Sequence, residues 1–231
     1  MPEESKVLII IPAYNEEDSI EKTVESVIQN SSYDYIVIND GSKDRTPQIL
    51  NERQFNCLHL PVNMGIGASM QTGYKYAYRH HYDYAIQLDA DGQHDPKDLD
   101  KLVAEIKKSQ YDLVIGSRFV EKSSYKGSVS RRIGIYYFYL LIQLLTGNKI
   151  TDPTSGYRIV NRKIIKEFSQ YYPIDYPEVE ILVSMARKKY RIKEISVEMK
   201  NRQGGVSSIN FMRSVYYMLK VTLFSIIRRS F

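Results

Sequence analysis

The sequence predicts an α/β protein in which a mainly parallel central sheet carries helices on both faces. Apolar, β-branched runs alternate with helical patterns through the first half of the chain, and this alternation is typical of β-α-β units. Polar motifs follow the apolar runs, as expected where strands leave a buried core. The predicted strands are 6–11, 34–39, 55–61, 83–88 and 111–116, and the predicted helices are 17–30, 44–52, 66–81 and 96–109.

Each of the first four predicted strands leads into a polar motif. In strand order, the motifs are residues 12–17, 39–42, 63–67 and 89–91. The carboxyl ends of parallel strands lie at one edge of a sheet, and ligands of such folds bind there. The sequence therefore predicts that the four motifs converge on one site.

The fourth strand ends in two carboxylates, Asp89 and Asp91. Side chains two residues apart in a strand point the same way. Carboxylate oxygens suit Mg²⁺ or Mn²⁺ and leave coordination positions for substrate phosphates. A calcium loop is excluded, because His94 occupies the position of its turn glycine and Asp100 occupies that of its last glutamate. An acidic turn that caps the next helix is the remaining alternative.

Two other nucleotide-binding folds share the α/β pattern but require specific phosphate loops. Residues 65–70 lack the third glycine of a dinucleotide-binding motif and follow the third strand rather than the first. The sequence also contains no Gly-x-x-x-x-Gly-Lys-Ser/Thr motif. Rossmann oxidoreductases and P-loop enzymes are therefore excluded.

Composition agrees with a globular domain in a reducing compartment. The chain has 231 residues, of which 43% are hydrophobic, so it can form a substantial core. Cys57 is the single cysteine, which excludes a disulfide within the chain. Because the sequence starts with the acidic segment Met1-Pro2-Glu3-Glu4, we expect no signal peptide and a cytoplasmic location.

The excess positive charge lies at the end of the chain. The sequence has 32 basic and 27 acidic residues, and positions 200–231 hold six basic residues and no acidic one. Residues 209–227 are mostly apolar, which favours an anionic membrane surface over nucleic acid. We expect one domain at 1–205 and a basic amphipathic membrane-associating helix at 206–231.

A second apolar segment, Ile133 to Leu145, directly follows Arg131 and Arg132. It is shorter than the roughly 20 residues that a bilayer span needs, and its tyrosines suit a membrane interface. We expect an interface helix at about 131–147. A buried core helix and a helix docked on a small transmembrane subunit are the alternatives.

Five motifs together resemble the family 2 inverting glycosyltransferases of GT-A fold, over roughly residues 5–205. These motifs are Pro12-Ala13-Tyr14-Asn15-Glu16, Asn39-Asp40-Gly41-Ser42-Lys43-Asp44, Asn63-Met64-Gly65, Asp89-Ala90-Asp91-Gly92-Gln93-His94 and Gly116-Ser117-Arg118. The second half is similar to the polyprenol-phosphate sugar synthases, which include dolichol-phosphate mannose synthase and bacterial undecaprenyl-phosphate hexose transferases. Its motifs are residues 130–132, 152–158 and 202–207.

The resemblance implies a nucleotide-sugar site at the first three strand ends. Pro12, Tyr14 and Glu16 would line a base and ribose pocket, and Asp40 would hydrogen-bond the base. The segment from Asn63 to Gly65 would allow close approach of the backbone. The alternatives are favourable charge in a first helical turn for Glu16 and an ordinary turn at Asp40.

The resemblance also implies that Asp89, Ala90, Asp91 and Gln93 surround a metal ion and the diphosphate. Asp91 would bind Mg²⁺ or Mn²⁺ directly, and Asp89 would lie nearer to the ribose or the sugar. The cation would neutralise charge on the leaving nucleoside diphosphate. His94 is expected to shape the turn rather than to contact the diphosphate.

An acceptor-phosphate clamp is expected from Arg118, Arg131 and Arg202, with Ser130 beside it, because guanidinium groups match phosphate geometry. Arg132 is the alternative to Arg131 in this clamp. A phosphate monoester has a second pKa of about 6, so it arrives as a nucleophile and needs no general base. A catalytic role is also expected for Asp152.

The acceptor determines what the acidic residues of the second half do. With a phosphate acceptor, Asp152, Glu178 and Glu180 would position substrates. With a hydroxyl acceptor, they would be candidate bases.

The leading hypothesis is a peripheral enzyme on the cytoplasmic face of the cell membrane. It would transfer a hexose of glucose, N-acetylglucosamine or mannose type from a UDP-sugar to undecaprenyl phosphate, with inversion, for cell-envelope glycan assembly. The alternatives are transfer to a hydroxyl of a lipid-linked or polysaccharide acceptor, and a catalytically silent subunit of a membrane complex. A small transmembrane partner and a homo-oligomer are left open, and no nucleic-acid partner is expected.

Overall fold

A computed structural model of the protein contains one seven-stranded sheet. It describes residues 5–108, 110–120, 129–174, 177–198 and 218–223, without the side chains of 129–131. The strands are β1 (Val7–Ala13), β2 (Asp34–Asn39), β3 (Cys57–His59), β4 (Tyr84–Gln87), β5 (Leu113–Ser117), β6 (Arg158–Asn161) and β7 (Ile192–Ser196).

Seven α-helices connect or flank these strands in the described ranges. They are α1 (Ile20–Asn30), α2 (Thr46–Glu52), α3 (Ile66–Arg79), α4 (Leu99–Lys107), α5 (Val129–Thr146), α6 (Arg162–Gln170) and α7 (Pro177–Arg187). A 3-10 turn at Pro96–Asp98 precedes α4, and residues 218–223 are helical. Within the residues that the structure describes, no helix is both long and apolar enough to cross a bilayer.

The strand order is β3-β2-β1-β4-β6-β5-β7. Every pairing is parallel except those of β6, which runs antiparallel to both β4 and β5. The predicted mainly parallel sheet is thus confirmed. Because β6 is reversed, its first residue lies at the same edge as the carboxyl ends of the parallel strands.

The sheet is buried on both faces, as predicted. In β1, Leu8 and Ile10 belong to a cluster with α3, α5, α6 and α7, whereas Ile9 and Ile11 belong to a second cluster with α1, α2 and α4. This division follows from the two-residue period of a strand. All four side chains are fully buried, and each stabilises the fold by roughly 1.5–3 kcal/mol.

The structure differs from the predicted elements mainly in their boundaries. Helix α1 begins at Ile20 rather than near 17, because the Glu16 carbonyl accepts the N–H groups of Ser19 and Ile20 in a turn. Strand β3 spans only Cys57–His59. The elements β6, α6, α7 and β7 were not among the predicted ones.

Candidate active site

The loops that follow β2 and β3 are joined through the Asp40 carboxylate. This buried side chain accepts the backbone N–H groups of Met64 and Gly65, each at 2.8 Å. Each carboxylate oxygen can accept a further hydrogen bond, so the predicted contact of Asp40 with a base stays a prediction. The structure adds a role that the motif did not reveal, since Asp40 also holds two strand ends together.

A glycine permits this close approach. Gly41 has a φ of +63°, and a Cβ at this position would lie 2.5 Å from the Val62 carbonyl carbon and 2.6 Å from the Asn63 nitrogen. Such distances are far below ordinary contact. The loop after β2 therefore requires glycine for both its conformation and its packing.

The loop after β1 is tied to the loop after β2 by reciprocal hydrogen bonds. Asn15 N–H donates to Ser42 Oγ at 2.9 Å, and Lys43 N–H donates to Asn15 Oδ1 at 2.8 Å. The structure therefore brings the first three predicted motifs together at one edge of the sheet.

The predicted pocket residues of β1 have different environments. Pro12 is buried within β1, whereas the Tyr14 side chain is 42% exposed just beyond the strand. The Glu16 carboxylate accepts a hydrogen bond from Ser19 Oγ at 2.7 Å. Tyr14 thus offers an exposed ring where the resemblance implies a nucleotide. The predicted contacts of all three with a base and ribose stay predictions.

The two carboxylates after β4 are held by several hydrogen bonds. Asp89 Oδ1 accepts from Gln87 Nε2 at 3.2 Å, and Asp91 Oδ1 accepts from Gln93 N–H at 3.0 Å. Between them, the Ala90 carbonyl accepts from Thr23 Oγ1 of α1 at 3.0 Å.

These bonds leave part of the first carboxylate accessible. The Asp89 side chain is 37% exposed, although it follows a buried strand. The Asp89 carboxylate is therefore accessible to a ligand at the sheet edge.

The carboxylate oxygens of Asp89 and Asp91 suit a divalent cation that also binds phosphate. Among the described residues, no group of three or more His, Cys, Asp or Glu side chains forms a protein-only metal site. Mg²⁺ typically uses one or two carboxylates and completes its shell with water and substrate phosphates. Asp89 and Asp91 supply that number, and the backbone of the turn keeps them together.

His94 shapes the turn that carries the carboxylates. Its side chain is buried, its Nδ1 accepts the Asp89 N–H at 3.2 Å, and its ring stacks on Tyr157 at 4.7 Å with an interplanar angle of 10°. These contacts are those of a residue that supports a turn, as predicted.

Arg118 and Asp152 form a buried ion pair. Arg118 Nε donates to Asp152 Oδ2 at 2.7 Å, and Arg118 Nη2 donates to Asp152 Oδ1 at 2.6 Å. The two side chains are 2% and 0% exposed, respectively. The structure thus places Arg118 against a carboxylate rather than in an open cleft. For Arg118 to bind a phosphate directly, this pair would have to rearrange.

The same pair limits what Asp152 can do. Both of its oxygens accept from Arg118, and its backbone N–H donates to Glu194 Oε1 at 2.8 Å. A general base needs an accessible oxygen near the proton that it takes. In this conformation Asp152 therefore has the surroundings of a positioning residue.

Arg158 links the loop before β6 to α7. Its buried guanidinium donates to the carbonyl oxygens of Ser155 at 2.6 Å, Glu178 at 2.9 Å and Pro153 at 3.0 Å. Glu178, in the first turn of α7, lies close enough for its charge to interact with Arg158 and Asp89. Burial raises the pKa of the Glu178 carboxyl, Arg158 opposes this shift, and Asp89 adds to it.

We expect Glu178→Gln to stabilise the protein at neutral pH but not in acid. The raised pKa means that the folded protein keeps the Glu178 proton to higher pH than the unfolded chain, whose value is about 4.3. Wild-type stability therefore falls as the pH rises between these two values. The difference in melting temperature between variant and wild type should be near zero at about pH 4 and positive at about pH 8.

Thermal denaturation across this pH range measures the difference. The exposed Glu52 provides a control, because Glu52→Gln removes a surface carboxylate without relieving burial. A Glu178→Gln advantage that shrinks as the pH rises would contradict the expectation.

Several predicted acceptor residues cannot be placed by side chain. Ser130 and Arg131 lie in the first turn of α5, but their side chains are outside the described residues. Arg202 and the glycines at 204 and 205 also lie outside them. The predicted clamp therefore stays a prediction.

Sequence reasoning missed two contributors to this edge of the sheet, namely Thr23 and Gln87, and it placed Arg158 in a motif without predicting its contacts. The only available signal for Gln87 was its polarity at the end of an apolar strand. Thr23 lies on an amphipathic helix, where a polar residue is ordinary.

Comparisons with known proteins agree with the resemblance. Residues 8–169 match the family described as glycosyl transferase family 2. The UDP-N-acetylglucosamine–dolichyl-phosphate N-acetylglucosaminyltransferase of Methanococcus voltae is 32% identical, over 83% of this chain and 84% of that protein. The undecaprenyl-phosphate mannosyltransferase of Micrococcus luteus is 28% identical, over 89% of this chain and 88% of that protein.

A solved structure confirms the predicted GT-A fold. The glucosyl-3-phosphoglycerate synthase of Mycobacterium tuberculosis, crystallised with Mn²⁺, UDP and glucosyl-3-phosphoglycerate, superposes with a TM-score of 0.75. The match covers 98% of this chain and 80% of that one, at 17% identity.

Proposed function

The chain belongs to glycosyltransferase family 2, and from this premise we propose that it transfers a hexose from a UDP-sugar to polyprenyl phosphate. The observation that carries the proposal is its similarity, over more than four fifths of its length, to enzymes named for transfer to dolichyl or undecaprenyl phosphate. The joined strand ends provide an edge at which the donor can bind. The product is a lipid-linked sugar for cell-envelope glycan assembly.

The donor binds across the carboxyl ends of β1, β2 and β4. Tyr14 and Asp40 face the nucleoside, and the diphosphate lies at Asp89 and Asp91. These two carboxylates would hold Mg²⁺ or Mn²⁺, which supplies positive charge to the leaving nucleoside diphosphate. The turn that ends at His94 keeps the carboxylates in place before the donor arrives, so little reorganisation accompanies the reaction.

A phosphate acceptor attacks the anomeric carbon from the face opposite the leaving group, which inverts the configuration. A phosphate monoester is largely ionised near neutral pH, since its second pKa is about 6. No side chain then has to remove a proton. The buried Arg118–Asp152 pair supports this acceptor over a hydroxyl, because it leaves Asp152 without an accessible oxygen.

Transfer to a hydroxyl is a second candidate function, and one observation favours it. Glu178 lies in the first turn of α7 near Asp89, and burial raises the pKa of its carboxyl. A carboxylate with a raised pKa is better suited to act as a general base. A hydroxyl acceptor would therefore make activity depend on Glu178, whereas a phosphate acceptor would not.

The acceptor is identified by incubating the full-length protein with radiolabelled UDP-glucose, UDP-N-acetylglucosamine or GDP-mannose, polyprenyl phosphate and Mn²⁺. We expect label in an acid-labile, organic-soluble product. Retention of this activity in Glu178→Gln would support the phosphate acceptor. No labelled lipid, together with label that appears only on the hydroxyl of an added glycan acceptor and disappears in Glu178→Gln, would overturn it.

The proposed acceptor is a lipid, and α5 carries an exposed apolar stripe that suits a membrane surface. The stripe consists of Ile133, Tyr136, Leu140 and Leu144, which are between 45% and 84% exposed. Their spacing places them on one face of the helix. Helix α5 also contains two arginines and no acidic residue, so its charge is complementary to anionic headgroups.

The helical segment 218–223 packs against α5 and carries exposed leucines of its own. Val221 is buried in the core, and Thr222 Oγ1 lies 2.7 Å from Tyr137 Oη of α5. On the same short segment, Leu219 and Leu223 are 66% and 57% exposed. We therefore propose that α5 and this segment hold the enzyme on the cytoplasmic face of the membrane as a peripheral protein.

We expect Leu140→Ser combined with Leu144→Ser to weaken binding to anionic vesicles by roughly tenfold or more. Burial of one leucine contributes about 1.5–3 kcal/mol when it is complete, and 1.4 kcal/mol corresponds to a factor of ten. Co-sedimentation with phosphatidylglycerol-containing vesicles measures the effect. The control is Ile28→Ser, because Ile28 is 50% exposed on α1, on the other face of the sheet. Equal losses in both variants would contradict the assignment.

A further inference from the structure

The loop before β6 lies next to Asp89, one of the two carboxylates proposed to bind the nucleotide-sugar diphosphate. Gly156 lies in this loop, within the motif that the sequence associates with the acceptor. A Cβ at Gly156 would lie 2.8 Å from Asp89 Oδ2 and 2.9 Å from Gln87 Nε2. The antiparallel pairing of β4 with β6 explains this proximity, because Gln87 is opposite Arg158 in the register.

Gln87 and Gly156 together define the space that the Asp89 carboxylate occupies. Gln87 is buried, and its Nε2 donates to Asp89 Oδ1 at 3.2 Å. Gly156 is next to the other carboxylate oxygen and to the same amide nitrogen. Gln87 therefore fixes the Asp89 carboxylate by a hydrogen bond, and Gly156, which has no side chain, leaves room for it.

Tyr157, the next residue of the motif, supports the turn that carries Asp89 by stacking on His94. The His94 Nδ1 accepts the Asp89 N–H at 3.2 Å, and the His94 Nε2 lies 3.8 Å from Asp89 Oδ2. Tyr157 stacks on this ring, and its hydroxyl donates to the Asp95 carbonyl at 3.1 Å. Residues 156 and 157 thus contact both the carboxylate and the turn that carries it.

We propose that Gly156 and Gln87 are positioning residues for Asp89 and that they set the affinity of the site for the metal–nucleotide complex. The inference rests on the proposed function, in which Asp89 lies at the diphosphate. A carboxylate that binds a cation or a ribose must be held in a narrow geometry, and a displacement of about 1 Å can cost 10²-fold in rate. An added methyl group at Gly156 would push Asp89 and Gln87 out of that geometry.

Gly156→Ala should perturb the site without unfolding the protein. The atoms nearest to the new methyl group are the ends of two side chains, which can move, and not backbone atoms. Gly134→Ala is the matched control, because a Cβ at Gly134 in α5 has no atom within 4 Å and alanine favours a helix. Gln87→Met is a second variant, since it removes the amide donor at nearly constant volume.

Calorimetric titration of the full-length protein with UDP in the presence of Mn²⁺ measures the affinity directly, without an acceptor. We expect Gly156→Ala and Gln87→Met to weaken binding about tenfold or more, while Gly134→Ala binds like wild type. Melting temperatures, measured in parallel, should show that Gly156→Ala remains folded. Unchanged affinity in both Gly156→Ala and Gln87→Met would overturn the inference.

A double-variant comparison tests whether the effect passes through Asp89. In an Asp89→Asn background, Gly156→Ala should cause little further loss, because residues that act through one group are not additive. An undiminished further loss would show that Gly156 acts elsewhere and would overturn the inference. Failure of the proposed UDP-sugar donor has a different signature, since the wild type itself would then bind no UDP with Mn²⁺; a hydroxyl acceptor would leave UDP binding unchanged and is tested separately by the transfer assay.

Discussion

Asp91→Asn is expected to lower the rate of sugar transfer by roughly 10³-fold while leaving the protein folded. A cation at the diphosphate contributes several kcal/mol to the stabilisation of the leaving group, and about 4 kcal/mol corresponds to this factor. The asparagine keeps Oδ1, which accepts the Gln93 N–H at 3.0 Å in the wild type. The turn should therefore persist, while the negative charge and one oxygen of the proposed metal site are lost.

Radiolabel transfer to polyprenyl phosphate, measured over a range of Mn²⁺ concentrations, checks this expectation. The control is Asp100→Asn, because the carboxylate of Asp100 lies on the neighbouring helix α4 and accepts a hydrogen bond from the Tyr33 hydroxyl. Transfer by Asp91→Asn at the wild-type rate, at every Mn²⁺ concentration, would contradict the assignment of the metal site.

The second large effect concerns stability. Arg118→Met or Asp152→Leu, made singly, should each destabilise the fold by about 3–5 kcal/mol, because the partner is left as a buried charge. For a protein of this size, the melting temperature should fall by roughly 6–20 °C. The double variant should recover most of this loss, since two apolar side chains leave no unpaired charge behind.

Thermal denaturation of the two single variants and the double variant measures the coupling between the side chains. If the stability losses of the two single variants add in the double variant, Arg118 and Asp152 do not stabilise the fold as a pair. The double variant also decides the role of Arg118 in catalysis. A folded double variant that binds UDP but does not transfer sugar would assign the pair a role in transfer, whereas full activity would restrict both Arg118 and Asp152 to a structural role.

The sequence predicted the fold of the donor half well, because its signals are local. An apolar run followed by a polar motif predicts both a strand and the edge at which that strand ends, as at Asp40 and Asp89. The alternation of strands and helices then determines the parallel arrangement. These features depend on neighbours in sequence, which a single chain reveals.

The remaining part depends on contacts between distant residues. Strand β6 has only four residues, and one of them is an arginine, so its hydrophobic pattern is too short to identify. The burial of Arg118 depends on Asp152, 34 positions away, and nothing in the residue type distinguishes a guanidinium that binds a phosphate from one that is paired with a carboxylate. The proximity of Gly156 to Asp89 is likewise a contact between residues that are far apart in sequence.

The position of the reversed strand also has a consequence for how the chain is made. Strand β4 has β1 on one side and β6 on the other, and among the described strands β5 pairs only with β6 and β7. A nascent chain that ends before Arg158 therefore presents β4 as an open edge and leaves β5 without a partner, and exposed edges are templates for aggregation. Donor-binding capacity should thus arise late in synthesis, and fragments that end before β6 should be recovered as insoluble material rather than as a small nucleotide-binding domain.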